Sequence, residues 1–220
     1  MIFYHGSPHI VDKPKHKGSR ANNDYGPAFY LTMDINQAKS WACKEELLGY
    51  VNKYKVRCDT YKTLKVLDLT NKDKYTVLNW LAILMHFRTL EKSFVNKHKD
   101  ILNWLEKYYV DVDQYDVIIG FRADDAYFRF PIRFIEGQLS FEDLENVFKL
   151  GNLGIQYAFI SKRAVDSLNY LESKQCESSY IGIYNELSKT ASEEFDKLVN
   201  QPISISKTYI LDLMRRDYEH

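Results

Sequence analysis

The chain has 220 residues, long enough for one sizeable core, and its 45% hydrophobic and 27% charged content is that of a globular protein and excludes global disorder. Thirty Lys and Arg balance thirty Asp and Glu, and a formal net charge of zero argues against strong non-specific attraction to nucleic acid or an anionic membrane. Three scattered cysteines, Cys43, Cys58 and Cys176, read as reduced thiols, and no apolar run reaches the length of a membrane span, so the expected location is the cytoplasm.

In chain order, Ile2-Phe3-Tyr4-His5 has the β-propensity of a short buried strand and is broken by Gly6. Residues 8–23 carry two prolines, several lysines and Gly18-Ser19, and read as a loop. Gly26-Pro27 is a turn signal before a second short strand from Ala28 to Leu31. Asp34 is a suitable N-cap for a helix on which Ile35, Ala38, Trp41 and Ala42, with Leu47 and Leu48, keep helical spacing to about Gly49. Tyr50 to Cys58 alternates as a strand, with Leu64 to Leu69 as its neighbour. Lys74 to Tyr109 turns helical and reads as a helical insertion or hairpin. Tyr115 to Gly120 is a buried strand. Ser140 caps a short helix with an acidic first turn, expected to end near Gly151. Gln156 to Ile160 is a strand, Ser161 to Leu168 a helix behind it, and two amphipathic patterns separated by Gln201-Pro202 follow Ile181. This order predicts an α+β fold.

The chemistry concentrates in two stretches, Tyr4-His5-Gly6-Ser7 and Asp24-Tyr25-Gly26-Pro27-Ala28-Phe29-Tyr30-Leu31-Thr32. An imidazole and a tyrosine at the tips of two short strands suit a ligand that carries an aromatic ring and ribose hydroxyls. Taken singly, Tyr30 reads as core and His5 as a satisfied loop histidine. With Asp34, Gln37-Ala38-Lys39-Ser40-Trp41-Ala42, Ile118-Ile119-Gly120, Ala123-Asp124-Asp125 and Gly154-Ile155-Gln156-Tyr157-Ala158-Phe159-Ile160-Ser161, these stretches resemble ADP-ribosyltransferases of the His/Tyr/Glu type. More closely, they are similar to a bacterial family of uncharacterised domains within that superfamily, over roughly residues 1–170.

The resemblance implies an ADP-ribosyltransferase-like split β-sandwich of two small sheets with flanking helices. It would occupy residues 1–175, with the helical insertion at about 74–109 and a helical C-terminal extension over 176–220. It implies NAD as co-substrate, with no metal. His5 then hydrogen-bonds the adenosine-side ribose, Gly6 holds the nicotinamide carboxamide, Ser7 adds a hydrogen bond, and Tyr30 stacks on the cationic nicotinamide ring. Gln156 stands where active transferases carry the catalytic glutamate; an amide holds a ribose hydroxyl but stabilises developing positive charge only weakly. Asp124 and Asp125 are the nearest candidates to supply that charge, their alternative reading being a helix or turn cap. Arg20, in a basic loop with Lys13, Lys15 and Lys17, is a candidate for the NAD pyrophosphate or a nucleic-acid target, a solvated loop being the alternative.

The expected function is therefore transfer of ADP-ribose from NAD to a protein or nucleic-acid acceptor with release of nicotinamide. It extends to the toxin of a bacterial toxin-antitoxin pair with a small antitoxin protein as partner. Two alternatives stay open: a non-catalytic NAD or ADP-ribose binding module, favoured by Gln156, and an RNA 2′-phosphotransferase-like enzyme. A metal site from His5, His9 and His16 lacks a helical or hairpin frame, and no cysteine sits at a glycine-rich turn or helix start that would activate it.

Overall fold

A computed structural model describes residues 1–44, 47–123, 125–147 and 154–218. In chain order these form β1 (Ile2–Ser7), β2 (Phe29–Leu31), α1 (Ile35–Ala42), β3 (Tyr50–Lys55), α2 (Cys58–Lys62), β4 (Val66–Asp68), α3 (Val77–Phe87), α4 (Lys92–Lys97), α5 (Lys99–Leu105), β5 (Val117–Phe121), α6 (Asp125–Ile135), α7 (Phe141–Val147), β6 (Ile155–Phe159), α8 (Lys162–Asp166), β7 (Asn169–Gln175), α9 (Ile183–Val199) and α10 (Ile210–Tyr218). The fold is α+β, with two small sheets and helices around them.

The first sheet has the order β1-β3-β7, all antiparallel, with His5 opposite Asn52 and Gly6 opposite Val51. The second has the order β2-β6-β5-β4, antiparallel except for the parallel β4–β5 pair. One bridge joins them, where Tyr4 and Thr32 exchange backbone hydrogen bonds of 2.7 and 2.9 Å. The sheets share an apolar core in which Phe3 meets Phe159 edge-on at 5.3 Å and Phe29 meets Tyr54 at 5.6 Å. Aromatic residues thus serve the sheet contact as well as any ligand.

A second, larger core lies between the second sheet and the helices, built on Leu81, Ile83, Leu84, Phe130, Phe134 and Ile118. α3 starts there with a capping box, Thr76 accepting from Leu78 N and Asn79 reaching back to Thr76 N. Asp116, at the start of β5, fastens three elements: its carboxylate accepts from Lys65 N at 2.7 Å, Ser161 Oγ at 2.6 Å and Arg163 Nε at 2.9 Å. Arg163, and then the hydroxyl and amide donors, hold that carboxyl down at about 2 against its burial.

The structure departs from the sequence expectations in several places. α1 ends at Ala42 instead of running to Gly49, and Leu47 and Leu48 are exposed, so their spacing continued the pattern without a core to face. β7 and α6 carry no expected counterpart: β7 is a polar edge strand that among the described residues pairs with β3 alone, and α6 contains Pro131 and two arginines, which obscure the buried Tyr127, Phe130 and Phe134. The expected end of the Ser140-capped helix near Gly151 lies outside the described residues; Ser140 Oγ does accept from Asp143 N at 3.1 Å. The region from Lys74 to Tyr109 holds three short α-helices, and the tail folds back onto the body, α9 against α6 and α10 against α5.

Candidate functional site

The loop before β2 places Asp24 and Tyr25 inside the molecule. Gly26 turns the chain with φ of +74°, and a Cβ there would lie 2.5 Å from the Phe87 ring, so a side chain is excluded on both counts. Tyr30, leaving β2, closes this turn: its hydroxyl donates to Gly26 O at 2.7 Å and accepts from Tyr25 N at 3.1 Å. Burial, and next the charge of Asp24, push the Tyr30 phenol far above its ordinary value, so it remains a donor. Tyr25 in turn donates to Phe121 O at 2.7 Å, at the end of β5.

Asp24 is the centre of the arrangement. Its Oδ2 accepts from Gln156 Nε2 at 2.9 Å and from Ala123 N at 2.8 Å, and its Oδ1 lies 3.3 Å from Arg88 Nη2. Burial raises its pKa, with Arg88, Ala123 N–H and Gln156 opposing. Gln156 is 4% exposed, and its Nε2 donates to Phe121 O as well, at 3.3 Å. Both amide hydrogens are therefore directed inward, which leaves Oε1 as the acceptor for a ligand hydroxyl.

These groups line a cleft of about 270 Å³ with Arg20, Asn23, Asp24, Tyr30, Trp41, Lys44, Arg88, Arg122, Ala123 and Gln156 around it. Four cations face it, with Asp24 as the one carboxylate among the described residues. A second cavity of about 370 Å³ adjoins it through Trp41 and Arg122, and Tyr180, Tyr184 and Leu187 from the C-terminal segment form its far wall. Among the described residues no group of three or more His, Cys, Asp or Glu side chains is placed to share a metal ion, and no helix is long and apolar enough to cross a membrane.

The structure brings Tyr30, Gln156 and Arg20 together at this cleft. His5 reaches it through the backbone: its Nδ1 lies 2.8 Å from Tyr30 O, and because a carbonyl only accepts, Nδ1 carries the proton. Burial lowers the His5 pKa, the Tyr30 carbonyl opposing, so the ring is neutral at pH 7 with Nε2 as acceptor. Gly6 and Ser7 sit farther along β1. The space a Gly6 side chain would need is filled by α1, with Ala38 O only 1.9 Å from where a Cβ would stand, and Ser7 Oγ accepts from His9 N at 3.1 Å. Asp124 lies outside the described residues. Asp125 opens α6, and its side chain too is outside them.

Sequence reasoning overlooked Asp24, Trp41, Lys44, Arg88 and Arg122 as cleft residues. Asp24 and Trp41 stand within the very motifs that were singled out, and Arg122 directly follows the β5 strand, so position relative to a strand end was the available signal. Arg88, just past α3, had none.

A family model described as Protein of unknown function (DUF3990) matches residues 1–170. No curated protein and no solved structure matches the chain.

Proposed function

The chain belongs to the DUF3990 family, whose function is unknown, and we propose that it is an NAD-dependent ADP-ribosyltransferase with a split β-sandwich of that superfamily's kind. What carries the reading is the convergence of Tyr30, Gln156 and Asp24 on one cleft lined by Arg20, Lys44, Arg88 and Arg122. The sequence motifs supply the first two; the contact between Gln156 and Asp24 supplies the carboxylate that an amide at that position lacks.

In this reaction the bond between the ribose anomeric carbon and the nicotinamide nitrogen breaks. Its electron pair leaves on nicotinamide, and a nucleophile of a macromolecular acceptor, protein or nucleic acid, donates a pair to the anomeric carbon and gives up its proton. Tyr30 offers a negative ring face to the cationic nicotinamide. Gln156 Oε1 accepts from a ribose hydroxyl, and Asp24, held rigid by Ala123 N–H and Arg88, places negative charge next to that amide as positive charge develops on the sugar. His5 Nε2 is the acceptor for the second ribose. By the likeness of its motifs the reading extends to a bacterial toxin restrained by a small antitoxin protein.

The test is calorimetry with NAD, together with nicotinamide release in the presence of cell lysate. The parent binds NAD, and Tyr30→Ala weakens binding by about tenfold, the scale of one desolvated cation–π contact. Asp24→Asn lowers kcat about ten- to thousand-fold with KM changed by less than about threefold, once its melting curve shows it folded. A parent protein that binds no NAD ends the reading. Binding without nicotinamide release under any condition selects instead a non-catalytic NAD or ADP-ribose binding module, which the amide at Gln156 favours.

A further inference from the structure

Another cavity, of about 290 Å³, opens where β4 and β5 end, and it shares no lining residue with the cleft or with the cavity beside it. Leu69, the residue after β4, Phe121, the last of β5, and Tyr75, Val77 and Trp80 around the start of α3 line it. β4 and β5 are parallel, so both leave the sheet on the same side, and the space beyond the carboxyl ends of parallel strands is where such sheets leave room for a ligand. Leu69, Val77 and Trp80 are buried and make the floor, while Lys72 and Glu145 are exposed and stand at the mouth.

The Trp80 ring is fixed before any ligand arrives, because its Nε1 donates to Phe121 O at 3.2 Å, and a preformed wall loses little rotamer entropy on binding. The threonine hydroxyls in the lining are engaged: Thr70 donates to Asp68 Oδ1 at 2.6 Å, and Thr76 accepts from Leu78 N at 3.3 Å in the cap of α3. The interior therefore offers aromatic and aliphatic surface, and the charges that remain are one cation and one anion. Among the described residues neither the Lys72 nor the Glu145 side chain forms an ion pair or a hydrogen bond, with the other or with any third group. A volume at the lower end of ligand pockets, which run to about 300–1,000 Å³, admits one or two rings and excludes a dinucleotide. An ammonium and a carboxylate on one carbon answer both charges at the mouth while a ring covers the floor.

We propose that this cavity binds a free aromatic α-amino acid, with its ring against Leu69, Val77 and Trp80, its carboxylate toward Lys72 and its ammonium toward Glu145. The site is independent of the NAD reading. An aromatic residue inside a protein offers the same ring without either charge, so the pair at the mouth favours the free amino acid over a side chain of a partner.

The experiment is a ligand-detected NMR titration of the full chain with L-tryptophan and, separately, with N-acetyl-L-tryptophan amide, which keeps the indole and carries no charge. The parent binds L-tryptophan saturably and the amide about tenfold more weakly, the scale of two exposed ion pairs. Lys72→Gln and Glu145→Gln each weaken L-tryptophan binding about threefold and leave binding of the amide unchanged. Val77→Phe fills the floor and weakens binding of both probes by about tenfold or more. If melting shows that Val77→Phe unfolds, the two substitutions at the exposed mouth decide the matter. A parent that does not bind L-tryptophan, or folded variants that bind it like the parent, overturns the proposal. Equal binding of the amino acid and the amide overturns it too, and assigns the cavity to an aromatic side chain of a protein instead.

Discussion

At the scale of single residues the pair Asp24 and Gln156 decides what the cleft can do. On the proposed transferase reading a glutamate would stand at position 156, and by the motif alone Gln156→Glu would raise activity or leave it unchanged. The geometry argues otherwise, because the amide donates to Asp24 at 2.9 Å and a carboxylate there would face a carboxylate. Two such groups share a proton, so the folded pair titrates above the ordinary carboxylate range. A raised folded value means stability that is present below the unfolded pKa and lost as pH rises through the folded one. Gln156→Glu should therefore melt close to the parent near pH 4 and fall progressively below it toward pH 8, by about 1–3 kcal/mol, the cost of a buried acceptor left without its donor. Equal deficits at all pH values in thermal melts would show that the two side chains do not contact each other.

At the scale of elements, α1 positions Trp41 by lying directly on β1. That closeness depends on Gly6, where a Cβ would be 1.9 Å from Ala38 O, 2.7 Å from Ala42 N and 2.8 Å from Trp41 Cβ. Gly6→Ala has to push backbone and not a flexible side-chain end, and should cost about 2–4 kcal/mol, at the upper end of the usual range for overpacking and above it. Denaturant titration measures it, and a loss below about 0.5 kcal/mol would mean that helix and strand slide apart freely. The same elements mark how far the chain could be read in advance. Short strands such as Phe29–Leu31 and Ile155–Phe159 were legible because their residues, Gln156 apart, are apolar or aromatic and bounded by turn signals. Asp34, Ser140 and Ser161 were legible as helix starts because capping is local, and each side chain does accept from the first turn it precedes. β7 was not legible: Asn169-Tyr170-Leu171-Glu172-Ser173-Lys174-Gln175 is strand only because β3 offers it an edge, with Glu172 and Lys53 3.1 Å apart across the pair.

At the scale of the whole molecule, the match to the family stops at residue 170 but the core does not. Phe195, 2% exposed, meets Phe130 edge-on at 4.9 Å, and Arg129 lies over the Phe195 ring at 3.9 Å. α10 buries Ile210 and Met214 and places Asp217 to accept from Trp104 Nε1 at 2.9 Å and Tyr108 Oη at 3.1 Å. Each of the three apolar side chains contributes about 1.5–3 kcal/mol by burial, comparable in sum to the net stability of a domain. A chain cut after Gln175 should consequently melt far below the parent, or bind a dye for exposed apolar surface at 25 °C; melting within a few degrees of the parent would make the tail dispensable. The sequence by itself determined the α+β class, the short strands bearing His5 and Tyr30, and the position of Gln156, since each follows from local pattern or from motif. Only the tertiary structure decided that Asp24 is the acid beside Gln156, that Arg88 and Arg122 face the same cleft, and that Tyr184, from the far end of the chain, meets Arg122 in the adjoining cavity. The reason is physical: the contacts Gln156–Asp24 and Arg122–Tyr184 span 132 and 62 positions, and contacts of that range are fixed by how sheets and helices pack, on which no local periodicity carries information.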